Sequence, residues 1–462
     1  MIEPTAEQLN KMSHFFKSGK TKDITYRKNA LSKLYDAILA HEKDILLALN
    51  NDLNKPEFES YASEIGPVLS EIKYVLKRIN KWTKAKKIHT SLANKPGKSY
   101  LLPEPYGVCL IIGPWNYPFN LIFMPLIGAI TAGNCVIIKP SEYAPKTQDI
   151  IEKIISQCFD SNFVCVLKGE AEFTSKLLKN KFDYIFFTGN TQIGSIVMQE
   201  AAKNLIPVTL ELGGKNPCIV DNNVNLENTA KSIVWGKFFN AGQTCLAVDY
   251  VLVKPDIKEE FIKKLIDSIN LFYGEDPEKS KDYARIINEK HFDRIAELIK
   301  IGKIVYGGDQ KKNTKYISPT LIENITWNDK LMNEEVFGPI LPILEYNDLD
   351  EAIAILQEKS KPLTIYFFST NAKQQNKIIN STSSGSVCIN STLAHFVSKT
   401  LPFGGVGQSG TGGYHGYYSF KTFSHFKSVY KKPSIKDSKI SYPPYNNRLN
   451  LLRKIFAFVN NH

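Results

Sequence analysis

Short apolar strands alternate with helices over most of this chain, and that alternation restricts the chain to α/β folds. Residues 108–112 and 136–138 are short apolar runs typical of strands, and an apolar helix is predicted between them. Further strands are predicted at 164–167 and 184–187, each followed by a turn and a helix-like stretch. Buried strands that alternate with helices favour a parallel sheet with helices on its faces.

A second α/β pattern begins near Pro217, and the chain before the first one is helical. The second pattern predicts strands at 218–220, 250–253 and 363–368, and helices at 225–240, 256–272, 289–301 and 348–358. Residues 5–85 carry apolar side chains at helical spacing, and a last helix is predicted at 449–459 after a polar, extended segment at 431–447. A chain of 462 residues should hold two or three such domains.

The charge of the chain gives little support to a nucleic-acid partner. Its net charge is +12, but many basic residues stand beside acidic ones, as in Lys258-Glu259-Glu260. No compact motif combines basic and aromatic residues as in nucleic-acid-binding modules. We therefore expect a diffuse basic surface and no nucleic-acid partner.

Cysteine usage and hydropathy exclude several other classes. The seven cysteines are odd in number and none has CxxC spacing, which disfavours a disulfide framework or a metal site. Such usage is typical of a reducing compartment and predicts a cytoplasmic protein. The longest apolar run, Phe119–Ile130, is interrupted by Pro125 and is shorter than the roughly 20 residues that span a bilayer. It is predicted to be a buried helix.

Three residues are candidates for covalent and acid–base chemistry. Cys245 follows a small, glycine-containing turn after a helix, so it is either a buried packing residue or an exposed nucleophilic thiol. Glu211 lies between leucines before two glycines; it either pairs with a lysine or is desolvated into a general base. Asn116 lies between two prolines at a strand end, where its amide stabilises either its own turn or an oxyanion.

Three further segments are candidates for cofactor binding. Gly189-Asn190-Thr191-Gln192-Ile193-Gly194 follows a strand and opens a helix, and such an N-terminus can hold a pyrophosphate, although the segment matches neither a Walker A loop nor GxGxxG. Lys139, at another strand end, either reaches ribose hydroxyls or is simply solvated. Glu335, in the segment NEEVFGP, either binds a polar ligand or belongs to an acidic surface turn.

Together these segments resemble the aldehyde dehydrogenase superfamily over nearly the whole chain. PWNYP, KPSE, FTGNTQIG, LELGGKNP, GQTC, EEVFGP and PFGGVGQSG occur in the family's order, and Cys245 follows Glu211 by 34 residues, as it does in the family. GNTQIG, GYHG, SFKTFSH and YPPY resemble the class 3 and fatty aldehyde dehydrogenase branch. The chain departs from that branch at Val248, where a proline is usual.

The resemblance implies a role for each candidate residue. Cys245 would be the nucleophile and Glu211 the general base, while Asn116 and the backbone N–H of Cys245 would form the oxyanion hole. Residues expected to contact the cofactor are Trp115, Lys139, Glu142, Gly189, Gly194, Glu335 and Phe337. Tyr117 and Phe403 are expected in the substrate pocket, and no metal is expected.

The resemblance also implies an aldehyde dehydrogenase-like α/β architecture with a Rossmann-type cofactor domain. That domain is predicted at 1–82 and 105–211, the α/β catalytic domain at 212–396, and a small β arm that builds a homodimer at 83–104 and 397–432. A tail at 433–462 ends in a helix with an apolar stripe and basic residues. The tail is expected either to dock on the partner subunit or to touch a membrane peripherally.

The expected activity is NAD(P)-dependent oxidation of an aldehyde to the carboxylic acid through a thioester on Cys245. Medium- or long-chain aliphatic, aromatic and polyene aldehydes all remain open as substrates. NAD is expected as the cofactor, with NADP as an alternative. The competing hypothesis is a cofactor-independent thiol esterase or acyltransferase that uses Cys245, for which His395 and His415 are available as bases.

Overall fold

A computed structural model describes residues 4–91, 94–434, 442–446 and 448–460. The chain begins with helices, as the helical periodicity predicted. Their apolar stripes are buried, as Leu31, Leu34 and Ile38 of the second helix show, and the Asp23 side chain caps that helix by accepting from the Thr25 N–H. These helices are α1 (Pro4–Lys17), α2 (Ile24–Ala40), α3 (Glu42–Leu53), α4 (Glu57–Ser60), a π-helical turn (Tyr61–Ile65), α5 (Gly66–Leu76) and α6 (Ile79–Trp82).

The first α/β pattern forms a sheet of the Rossmann type. Its elements are β3 (Val108–Ile112), α7 (Asn120–Ala132), β4 (Cys135–Lys139), α8 (Pro145–Cys158), β5 (Val164–Val166), α9 (Ala171–Leu178), β6 (Tyr184–Thr188), α10 (Thr191–Ala202) and β7 (Val208–Glu211). The strand order is β5-β4-β3-β6-β7, all parallel, and β17 (Gly410–Thr411) adds an antiparallel edge beside β7. The order reverses between β3 and β6, and ligands of such sheets bind in the crevice at that point.

The second pattern forms a seven-stranded sheet. Its elements are β8 (Pro217–Val220), α11 (Leu226–Phe238), β9 (Tyr250–Val253), α12 (Pro255–Tyr273), α13 (Glu289–Ile299), β10 (Lys303–Tyr306), β13 (Thr320–Glu323), α14 (Lys330–Asn333), β14 (Ile340–Glu345), α15 (Leu349–Glu358), β15 (Thr364–Phe368), α16 (Ala372–Ser381) and β16 (Ser386–Ile389). The strand order is β10-β13-β14-β9-β8-β15-β16, parallel except for β10. A small ribbon pairs β11 (Gln310–Lys311) with β12 (Tyr316–Ile317).

A three-stranded arm stands outside both sheets. It contains β1 (Lys86–Ile88), β2 (Lys98–Pro105) and β18 (Ser424–Lys431), with β2 in the middle and both neighbours antiparallel to it. The segment 397–432, predicted entirely as arm, also contributes to the first sheet. Phe403, Tyr414 and the helix α17 (Tyr417–Thr422) pack into the hydrophobic core around that sheet, because β17 brings this stretch alongside β7.

The predicted terminal helix is present as α18 (Leu449–Asn460), and Leu449, Leu452 and Phe456 of its apolar stripe are exposed. Within the predicted extended segment 431–447, residues 435–441 and 447 lie outside the described residues. Within the described residues, no helix has the length and hydropathy of a membrane span.

Val248, at the position where the class 3 branch usually has a proline, is fully buried in the core of the second sheet.

Candidate active site

A cavity of about 1430 Å³ opens at the carboxyl ends of β3, β6 and β7 and extends between the two sheets. It brings together nine predicted site residues that are far apart in sequence: Trp115, Asn116, Tyr117, Gly189, Glu211, Cys245, Glu335, Phe337 and Phe403. Lys139, Glu142 and Gly194 do not line it, although Ser141 and Tyr143 of the same turn do.

Cys245 lies at the end of a strained turn that follows α11. Asn240 and Ala241 both have left-handed backbone angles, with φ of 55° and 52°, which are costly for residues other than glycine. Gly242 also has a positive φ and lies against the Gly338 carbonyl, where a side chain would not fit. Cys245 is partly exposed, whereas the other six cysteines are buried. Its setting is therefore that of a thiol presented to a cavity.

The surroundings of the Cys245 thiol favour its protonated form. Burial, with the Glu335 and Glu211 carboxylates nearby, raises its pKa to about 12, while the backbone N–H groups of Cys245 and Leu246 act in the opposite direction. A nearby proton acceptor or positive charge would favour the thiolate instead.

Glu211 ends β7 as a buried side chain without a partner. Neither carboxyl oxygen has a hydrogen-bond partner within the described residues. Burial raises the pKa of the Glu211 carboxyl well above its ordinary value, because desolvation disfavours the charged form. The alternative prediction for Glu211 is an ion pair with a lysine. It is wrong, because Glu211 forms no such pair within the described residues.

The Asn116 turn is held from three sides. Its side-chain nitrogen donates to the Gln243 carbonyl at 3.0 Å, in the turn before Cys245. Its own carbonyl accepts from the Lys55 ammonium at 3.0 Å and from the Asn240 side chain at 2.9 Å. One of the two amide hydrogens of Asn116 remains for another acceptor.

A buried ion pair supports this turn, and no sequence motif indicates it. The Lys55 ammonium lies 2.6 Å from Glu64, and both side chains are fully buried. The second carboxylate oxygen of Glu64 accepts from the backbone N–H groups of Phe119 and Asn120. Lys55 and Glu64 are missing from the predicted site because nothing in the spacing of a loop lysine and a glutamate in the following π-helical turn marks them as buried partners.

Tyr117 and Phe403 line the cavity together with other aromatic residues. The Tyr117 hydroxyl is 2.6 Å from Thr244 Oγ1, beside the predicted nucleophile. Phe403 stacks on His415 with centroids 5.5 Å apart, and Phe396 meets the Phe403 ring edge-on. This part of the cavity is apolar and suits a hydrocarbon.

The glycine turn before α10 has the features of a phosphate-binding turn. Asn190 caps the helix by accepting from the Ile193 N–H at 2.9 Å. Gly194 allows close packing, because a side chain there would overlap Leu212. Gly189, Thr191, Gln192 and Ile193 line the cavity, so the helix N-terminus faces it. Nearby, Lys139 and Glu142 form an ion pair at 2.7 Å.

Glu335 lies on a loop next to the ion pair between Lys215 and Asp249. Its carboxylate lies against Gly213, and burial together with Asp249 raises its pKa to about 8. Asp249 accepts from the Val336 N–H and from the Lys215 ammonium. Phe337 has a φ of 44°, and its ring meets the Trp115 ring edge-on with centroids 5.3 Å apart.

Within the described residues, no group of three or more His, Cys, Asp or Glu side chains could hold a metal ion.

Comparison with known proteins matches this site to a family. The model of the aldehyde dehydrogenase family matches residues 5–429. The chain belongs to the aldehyde dehydrogenase family. It is an enzyme of aldehyde oxidation, and the cofactors of the family are NAD and NADP.

The relatives of this aldehyde dehydrogenase confirm the predicted class 3 branch. It is 47% identical to the 4,4'-diaponeurosporen-aldehyde dehydrogenase of Staphylococcus aureus (strain NCTC 8325 / PS 47), over 96% of this chain and 97% of the relative. It is 44% identical to the dimeric NADP-preferring aldehyde dehydrogenase of Canis lupus familiaris, over 95% and 97%. It is 44% identical to aldehyde dehydrogenase family 3 member A2 of Pongo abelii, over 95% and 90%.

A solved structure confirms the predicted fold. The substrate-bound state of Staphylococcus aureus AldH superposes on this aldehyde dehydrogenase with a TM-score of 0.96. The two chains are 46% identical, and the match covers 97% of this chain and 99% of the other.

Proposed function

We propose that this enzyme oxidises long, apolar aldehydes, aliphatic or polyene, to carboxylic acids with NAD, and that Cys245 carries the acyl group as a thioester. Three groups that meet in one cavity carry the proposal: the partly exposed thiol of Cys245, the amide of Asn116, and the carboxyl of Glu211, which has no hydrogen-bond partner in the described part of the chain.

The residues around the first sheet fit a dinucleotide. The crevice at the strand-order reversal, the exposed N-terminus of α10 and the carboxylate of Glu335 offer places for a pyrophosphate and a ribose. Trp115 and Phe337 would flank the nicotinamide ribose held by Glu335, and Lys139 with Glu142 would lie near the adenosine ribose. When bound, NAD supplies the acceptor for the hydride that leaves the aldehyde carbon.

The chain's own groups account for the other steps. The Cys245 thiolate attacks the aldehyde carbon, and the Asn116 amide with the Cys245 backbone N–H holds the oxyanion. Loss of the hydride leaves an acyl group bonded to the Cys245 sulfur. Glu211, once ionised, takes a proton from water, and the hydroxide attacks the acyl carbon. The carboxylic acid is released and the thiol is restored.

The apolar part of the cavity supports the substrate class. Aromatic side chains around Phe403 and Tyr117 suit a hydrocarbon chain. The Staphylococcus aureus relative is named for a polyene aldehyde, which fits the same chemistry.

The alternative, a cofactor-independent thiol esterase, would need an imidazole beside the thiol. His395 has no hydrogen-bond partner at either ring nitrogen within the described residues, and burial lowers its pKa to about 4. His415 is likewise held neutral by burial, and its Nε2 has no partner in that part of the chain. Neither histidine supports the esterase.

We also propose a homodimer built through the arm. The strands β1 and β18 are edges with unpaired backbone groups, and the canine relative is named as dimeric. In this scheme the cofactor domain comprises 1–82 and 105–211, the catalytic domain 212–396, and the arm 83–104 with part of 397–432. The cytoplasmic location and the role of the tail at 433–462 stay predictions.

The decisive experiment follows absorbance of the reduced nicotinamide. Purified enzyme would receive NAD or NADP and aldehydes of increasing chain length, with Cys245→Ala as the matched control. We expect reduction by the wild type only, and kcat/KM that increases with chain length. Ester hydrolysis by Cys245 without any cofactor reduction would overturn the proposal in favour of the esterase.

A further inference from the structure

Besides Lys55 and Glu64, a third buried charged side chain from the N-terminal helical region reaches the turns around the cavity. Glu59, in α4, is buried, and the two oxygens of its carboxylate accept from the backbone N–H of Asn240 at 3.1 and 3.4 Å. These two residues are 181 positions apart in the sequence, so only tertiary packing brings them together. The steps proposed for aldehyde oxidation give this carboxylate no role.

A buried carboxylate is costly for the fold unless other groups compensate for its lost hydration. Burial raises the pKa of the Glu59 carboxyl to about 8, while the Lys55 ammonium and the Asn240 N–H act in the opposite direction. An apolar side chain of similar volume would fill the same space without this cost. The hydrogen bond to Asn240 is therefore the feature that distinguishes Glu59 from a packing residue.

The N–H that Glu59 binds belongs to a residue with a strained backbone. Asn240 has φ of 55° and ψ of 32°, and Ala241 after it has φ of 52° and ψ of 35°, so both are left-handed. Because α11 ends at Phe238, the Asn240 N–H lies beyond the helix and donates to Glu59. Strain of this kind persists only where the surrounding structure holds it, and Glu59 is one of the groups that do so.

Asn240 also joins the turn of Cys245 to the turn of Asn116. Its side-chain nitrogen donates to the Asn116 carbonyl at 2.9 Å and to the Gln243 carbonyl at 3.2 Å. Its own carbonyl accepts from the backbone N–H and from the side-chain nitrogen of Gln243. A displacement of Asn240 would therefore move the backbone just before Cys245.

We propose that Glu59 is a positioning residue for the nucleophile: by anchoring the Asn240 N–H, it fixes the left-handed turn that presents the Cys245 thiol to the aldehyde carbon. Glu59 does not line the cavity, so it acts through the backbone of Asn240. The inference rests on the proposed function, in which Cys245 is the nucleophile.

Two substitutions of Glu59 separate the hydrogen bond from the volume of the side chain. Glu59→Leu removes the acceptor, whereas Glu59→Gln keeps a side-chain oxygen that accepts from the Asn240 N–H. A displacement of about 1 Å in an active site costs roughly 10²-fold in rate, so Glu59→Leu should lower kcat by about that factor. KM for the aldehyde should change little, and Glu59→Gln should recover most of kcat. An equal loss of kcat in both variants would overturn the proposal.

Alkylation of Cys245 by iodoacetamide reports on the thiol without aldehyde or cofactor. Mass spectrometry of the Cys245 peptide would follow the labelling with time. In Glu59→Leu we expect labelling to be about tenfold slower, because displacement from the backbone N–H groups of Cys245 and Leu246 lowers the thiolate fraction. Labelling at the wild-type rate would show that Glu59 does not position the thiol. Because no NAD is present, this outcome is distinguishable from a wild type that reduces no cofactor.

Asp221→Leu is the matched control for the loss of a buried carboxylate. Asp221 follows β8, is buried, accepts from the Ser369 hydroxyl and does not line the cavity. Its substitution should lower the unfolding midpoint in urea and leave kcat and the labelling of the folded enzyme unchanged.

Glu59→Asp keeps the test available where Glu59→Leu does not fold. Aspartate retains the charge, but its carboxylate is one methylene shorter and lies farther from the Asn240 N–H. Its kcat and labelling rate should therefore both decrease, with KM for the aldehyde nearly unchanged. A folded Glu59→Asp with the wild-type kcat and labelling rate would contradict the role of Glu59.

Discussion

The turn that carries Asn116 and the strand end that carries Glu211 face one cavity but are built in opposite ways. Asn116 is fixed by three hydrogen bonds and supported by a buried Lys55–Glu64 ion pair. Glu211 is equally buried, yet its carboxyl has no partner in the described residues. A group that stabilises charge must be held in place beforehand, whereas a group that accepts a proton must be free to change its charge.

The largest expected effect comes from Glu211→Gln. Removal of a general base costs up to about 10⁴-fold in rate, and here the loss should fall on hydrolysis of the thioester. Stopped-flow absorbance should show a first-turnover burst of reduced cofactor followed by almost no steady rate. A variant that turns over at the wild-type steady rate would show that Glu211 is not the base.

Lys55→Met should destabilise the protein by about 3–5 kcal/mol, because it leaves the Glu64 carboxylate buried without its cation. Urea denaturation monitored by fluorescence measures the change. The double variant Lys55→Met with Glu64→Leu should recover part of the loss, since no charge is then left unpaired. An unchanged unfolding midpoint in the single variant would mean that the ion pair does not support the Asn116 turn.

Asn116→Ala should lower kcat by roughly 10²–10³-fold, as expected for one lost oxyanion donor. KM for the aldehyde should change much less, because the oxyanion forms only as the thiolate attacks. Steady-state kinetics separate the two constants. A rise in KM at constant kcat would instead make Asn116 a substrate-binding residue.

The pH profile should distinguish the two regions further. Burial raises the pKa of Glu211, and the fraction of its ionised, basic form increases about tenfold per pH unit below that pKa. Thioester hydrolysis, measured after a single turnover, should therefore accelerate as pH rises. Asn116→Ala should keep this slope at a lower rate, and a flat profile in the wild type would contradict the role of Glu211.

The smallest effect is expected from Glu142→Gln. Its partly exposed carboxylate would repel the 2′-phosphate of NADP, so removing the charge should lower KM for NADP by roughly fivefold and leave KM for NAD nearly unchanged. Glu172→Gln, an exposed glutamate away from the cavity, is the matched control. An equal change for both cofactors would mean that Glu142 does not select between them.

The sequence predicted the main strands and helices because their apolar residues repeat with the period of each element. β7 and β14 show the limit of that signal. Short buried runs such as Ile340–Glu345 have no alternation and resemble pieces of a helix, so periodicity alone does not assign them. The strand order, and with it the crevice between β3 and β6, depends on contacts between distant segments.

The amino-acid sequence by itself determined the family, the α/β class and the identity of Cys245, Glu211 and Asn116 as candidates, because ordered motifs and local spacing are properties of the chain. Only the tertiary structure decided that Cys245 alone of the cysteines reaches the cavity, that Glu211 has no partner among the described residues, and that Lys55 and Glu64 support Asn116. Burial and pairing are set by side chains that approach from elsewhere in the fold, and no local pattern records them.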